Sequence, residues 1–204
     1  MLAGLGAMAT AGALRAGTVE AQNTTAVPAP FAPTLHAEDA WLSALPGKHR
    51  VVLDCTSPGG VPDAIRFAGN LLIGHKSGYG VEESDIAIVV CFRHGATPYG
   101  FTDVVWSKYG KTIDTNAMPP VEANPVNSGS RMQLADLATR GVHFMVCRQA
   151  SRGLAGRIAG PGGDGDAVLK ELGANLVASA RLVAAGVIGV THAQERGYAL
   201  LFVG

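Results

Sequence analysis

Three short runs of β-branched and apolar residues, each ending on a cysteine, constrain this chain more than any other feature. They occupy residues 51–55 (VVLDC), 86–91 (IAIVVC) and 142–147 (VHFMVC), and there is no cysteine elsewhere. Each is bounded by turn or helix signals, so each reads as a buried strand. Strands that lack alternation belong in a parallel sheet covered on both faces. In such a sheet, ligands and chemistry gather outside the carboxyl ends of the strands. The expectation is therefore three thiols along one sheet edge, suited to sulfur chemistry, a metal or a disulfide.

The segments between the runs carry a helical period. Residues 61–74 set Ile65, Ala68, Leu71 and Leu72 on one face. A helix near 101–109 carries Val104, Val105 and Trp106, another spans about 131–140, and 148–159 is rich in small residues. Gly160-Pro161-Gly162-Gly163 breaks the last of these, and Asp164 or Asp166 can cap the next. Residues 180–183 read as a weak fourth strand, 186–197 as a helix and 198–203 as a fifth strand. Alternating strands and helices imply a single doubly wound α/β domain with a five-stranded, mainly parallel sheet. Residues 111–130 have no period, and loops longer than about 12–15 residues are usually functional or disordered.

The first 45 of the 204 residues stand outside this alternation. Residues 1–21 begin with a small, apolar, uncharged stretch and end in Val19-Glu20-Ala21, a small-x-small pattern suited to signal peptidase. The stretch is shorter than the roughly 20 apolar residues a bilayer span needs. It reads as an export signal lacking its positively charged n-region, which places the protein in the periplasm or otherwise outside the cytoplasm. Residues 22–45 form a proline-rich linker followed by a short helix packed by Trp41. The α/β domain then runs over 46–204, with no transmembrane helix expected after signal removal. Lys+Arg and Asp+Glu balance at 16 each, which gives no reason to expect a nucleic-acid partner.

Cys147 is the leading candidate nucleophile. It ends the third strand and meets a helix N-terminus, with Arg148 and Arg152 following at once. A helix N-terminus and nearby cations both favour the thiolate. Cys91 and His94 form a Cys-x-x-His unit that zinc or copper can use, with Cys55 or Cys147 completing the set. His94 is alternatively a base or cation near Cys147. A Cys55–Cys91 disulfide is a third option in an oxidising compartment, and it needs Cα atoms within roughly 7 Å. The glycine-rich segments lack G-x-G-x-x-G and the P-loop lysine, so no nucleotide cofactor is expected. No G-x-S-x-G elbow is present.

Residues 141–150 (GVHFMVCRQA), 186–198 (GVIGVTHAQERGY) and 105–110 (VWSKYG) resemble, in their order and spacing along the chain, the DsrE/DsrF-like sulfur-relay proteins, the second and third stretches named here an exported branch of them. The resemblance runs from about residue 45 to the end. It implies a parallel α/β fold and a homo-oligomer, commonly a trimer or hexamer. It also implies that Cys147 accepts a persulfide sulfur from a donor protein or small thiol and passes it on. The alternatives are a non-catalytic binding or assembly module of the same fold, and a periplasmic metal-binding protein using Cys91 and His94.

Overall fold

A computed structural model describes residues 31–127 and 133–204. The export signal expected over residues 1–21 lies outside the described residues. Five strands, β1 (His49–Cys55), β2 (Ile86–Phe92), β3 (His143–Cys147), β4 (Ala180–Val183) and β5 (Ala199–Val203), form one sheet in the order β4-β3-β2-β1-β5. Every pairing is parallel.

The helices are α1 (Ala40–Ala44), α2 (Val61–Tyr79), α3 (Asp103–Ile113), α4 (Leu134–Thr139), α5 (Arg148–Ala159), α6 (Gly165–Ala174) and α7 (Gly186–Gln194). The step of two along each strand decides which helices cover which face. Leu53, Cys55, Ile88, Val90, Phe92 and Phe144 point to one face and bury Val61, Ile65 and Leu72 of α2 with Leu134 and Leu137 of α4. Val146 continues that face into a cluster with Val105 of α3, Leu154 of α5 and Leu169 of α6. The intervening residues Val52, Ala87, Val89, Cys91 and Met145 point to the other face, against Leu42 of α1 and Val190 and Ala193 of α7. Phe92 and Phe144 stack across neighbouring strands with ring centroids 5.7 Å apart. An aromatic pair of this kind contributes about 0.5–1.5 kcal/mol beyond the area it buries.

The element ends follow from local chemistry. Helix α2 runs past residue 74 to Tyr79 and stops where Gly80 takes a left-handed conformation, φ 66°. Asp164 caps α6 by accepting from the Ala167 amide. Gln133 and Asp136 form a reciprocal capping box at α4. In the N-terminal helix, Leu42 rather than Trp41 is the sealed residue, and Trp41 is half-buried. The loop after α3 is anchored by Asn124, whose side-chain amide donates to the carbonyls of Tyr99 and Phe101.

Candidate functional site

The three cysteines do not share one environment. Cys55 pairs in register with Phe92, and Cys91 with Asp54 and Met145. Cys147 lies one residue beyond the Phe92–Val146 pair. Cys55 faces the α2 side, whereas Cys91 and Cys147 face the α7 side. The thiols are thus staggered along the strands as well as divided between the faces. All three are free. Cys55 and Cys91 sit on neighbouring strands but on opposite faces, so their Cβ vectors diverge and the sheet does not bring them together as a disulfide.

Burial separates the thiols chemically. Desolvation pushes the Cys55 thiol up to about 11, and its S–H reaches the Ser57 carbonyl. Burial pushes Cys91 higher still, helped by the Asp54 carboxylate, and its S–H donates to the Gly186 carbonyl at 3.7 Å. Both are protonated at neutral pH and inert. Cys147 is the N-cap of α5, its Sγ accepting the Ala150 amide at 3.4 Å. The Ser151 hydroxyl returns to the Cys147 carbonyl at 2.9 Å. Gly186, the first residue of α7, lies against it: a Cβ there would stand 3.3 Å from the Cys147 Cβ and 2.6 Å from that of Arg93. Cys147 thus caps α5 and packs against the first residue of α7.

The cation of the site is Arg93, which follows β2. Its Nε and an Nη donate to the two Asp54 carboxylate oxygens at 2.6 and 2.8 Å. The pair holds the guanidinium above its ordinary range, and Arg93 also interacts electrostatically with Cys91 and Cys147. Sequence reasoning missed Asp54, Arg93 and Gly186. The available signal was Asp54 itself, a carboxylate inside an apolar strand, where burial requires a partner.

The other predicted residues lie elsewhere on the same rim. Arg148 and Arg152 are exposed and line, with Asp166 and Lys170, a groove between α5 and α6. His94 is exposed, with φ 50°, and lines a cleft against the far side of α5. Cys91 is sealed in the core on the α7 face, so the Cys91-x-x-His94 unit does not converge. Among the described residues, no three His, Cys, Asp or Glu side chains are placed to hold a metal ion. No described helix is long and apolar enough to cross a membrane.

No protein-family model matches the chain, and no curated protein matches it. Among solved structures it is similar to MTH1491 from Methanobacterium thermoautotrophicum, a protein of unknown function. The identity is 18%, the TM-score 0.45, and the match covers 76% of this chain and 99% of that one. A likeness of that size carries no argument about activity.

Proposed function

We propose that this protein is a sulfur carrier that holds sulfane sulfur on Cys147. The supporting observation is the contrast among its thiols. Cys55 and Cys91 are sealed and shifted upward, while Cys147 alone caps a helix N-terminus beside a paired arginine. The resemblance to DsrE/DsrF-like proteins gives the reaction. The Cys147 thiolate attacks the outer sulfur of a donor persulfide, R–S–SH. A new S–S bond forms at Cys147, the donor S–S bond breaks, and RS⁻ leaves. Transfer to an acceptor thiolate reverses these steps, with no net oxidation. An exported location and a homo-oligomeric state belong to the same proposal.

The test is intact mass spectrometry of the reduced protein after incubation with a small persulfide donor. Gain of one sulfur atom at Cys147, lost in Cys147→Ser, is the expected result. Loading that persists in Cys147→Ser, or no loading of the parent chain, overturns it.

A second reading, a binding or assembly module that does no chemistry, is favoured by two observations. Cys147 is only 7% exposed. Edge strand β5 leaves Leu200, Leu201 and Phe202 exposed, the last by 64%. An apolar open edge of this kind is suited to subunit contact. Full protection of Cys147 from a thiol reagent in the native protein would select this reading.

A further inference from the structure

A second concave site lies on the carboxyl-end rim, between the turn His94–Gly100 and α5. Its volume is about 370 Å³, within the range of small-molecule clefts. One wall is the α5 face that carries Ala150, Gly153, Leu154 and Arg157, spaced three and four apart. The other carries His94, Thr97 and Pro98.

Three features separate it from a packing gap. Thr97 is 1% exposed, yet its hydroxyl oxygen has no hydrogen-bond partner among the described residues. A buried hydroxyl left unpaired is costly, so a lining group of this kind asks for an occupant. Arg157 is exposed at the mouth and forms no ion pair among the described residues. Gly153 leaves the wall open: a Cβ there meets nothing within 4 Å. A glycine inside a helix is unfavourable by itself, and here it keeps space in the cleft.

We propose that this cleft binds a small organic carboxylate. The Arg157 guanidinium takes the carboxylate through its planar fork of donors. Rotation of the sealed Thr97 side chain would bring its unpaired hydroxyl to the ligand deeper in. Pro98, Leu154 and Ala150 hold the apolar body of the ligand, with His94 at the rim. One guanidinium with apolar walls suits a monoanion that carries a hydrophobic part rather than a compact dianion. The site does not use the Cys147 thiol and stands whether or not that thiol carries sulfur.

The experiment is isothermal titration calorimetry of the full chain with benzoate, using neutral benzamide and inorganic phosphate as comparisons. Saturable benzoate binding, at least about tenfold tighter than that of either comparison, is the expected result. Arg157→Gln removes the counter-ion and Gly153→Leu fills the space, and each weakens benzoate by about tenfold or more. Arg152→Gln, on the α6 side of the same helix, leaves it unchanged. Arg157→Gln alters only an exposed side chain, so its circular dichroism stays native and the result is readable even if the leucine variant misfolds. The proposal is overturned by absence of saturable benzoate binding, by equal binding of benzamide or phosphate, by retention in Arg157→Gln or in a folded Gly153→Leu, or by loss in Arg152→Gln.

Discussion

Arg93 clamps Asp54 through two donors across neighbouring strands, at 2.6 and 2.8 Å, with only 15% and 7% of the two side chains exposed. Asp54 stands beside Cys91 in register, and Arg93 shares the Gly186 backbone with Cys147. The pair therefore joins the ends of β1 and β2 to the start of α7 and fixes the charge on the rim where Cys147 sits.

Breaking this pair from one side is the first prediction. Asp54→Asn leaves a mostly buried guanidinium without its carboxylate. Removing one partner of a buried pair is strongly destabilising, and a loss of about 3 kcal/mol is expected in urea unfolding. Replacing both partners, Asp54→Leu with Arg93→Met, restores most of it, because no unpaired charge remains. A double variant no more stable than Asp54→Asn would show that the ion pair is not what the single change disturbs.

The second prediction concerns thiol selectivity. At pH 7.5 and short times, iodoacetamide modifies Cys147 and leaves Cys55 and Cys91 untouched. Cys55 is raised to about 11 and Cys91 further, so their thiolate fractions are negligible there. In urea all three react. Peptide mapping reads the sites, and labelling of Cys91 ahead of Cys147 in the folded protein contradicts the assignment.

Much of this was legible in the sequence, and the reasons are physical. The runs 51–55, 86–91 and 142–147 became β1, β2 and β3 because apolar β-branched runs have few other homes. Residues 180–183 became β4 despite a weak pattern, held by pairing with β3. Helix ends were less legible. Residues 75–79 extend α2 where the apolar stripe has faded, and Gly80 then sets its end. The site itself was half legible. A cysteine before a helix can be read along the chain, which is why Cys147 stands out. That Cys55 faces away from Cys91 requires strand order and register, and these arise from pairing between distant segments. The Asp54–Arg93 contact is likewise non-local, joining residues 39 positions apart.

Gly186 supplies the third prediction. A methyl group there meets the Arg93 Cβ at 2.6 Å, too close for any Cβ contact, and the Cys147 Cβ at 3.3 Å. Gly186→Ala should therefore lower stability by about 1–3 kcal/mol, the usual range for overpacking. It should also change the alkylation rate of Cys147, since relief of the clash moves α7 away from the thiol. Gly153→Ala serves as the control: with open space around the new methyl, it should raise stability by roughly 0.5–1 kcal/mol. Equal effects of the two alanines would remove the case for close packing at Gly186.

His143 makes the stability depend on pH. It opens β3, half-buried near Trp41, and its Nδ1 has no hydrogen-bond partner among the described residues. Burial, with a smaller contribution from the Arg181 charge, holds its imidazole below the ordinary 6.5. Between that depressed folded value and 6.5, the unfolded chain binds more protons than the folded one. Stability therefore rises with pH across this window. The contribution is fully present above 6.5 and is lost as pH falls below it, until the folded imidazole also takes its proton. Urea midpoints measured at pH 7.5 and 5.5 should fall on acidification. His143→Gln, which cannot titrate, should show a smaller fall than the parent chain. The difference isolates His143 from the carboxylates that also respond to acid. An identical pH dependence in the two proteins would mean that His143 titrates alike folded and unfolded, and that its burial leaves its charge unaffected.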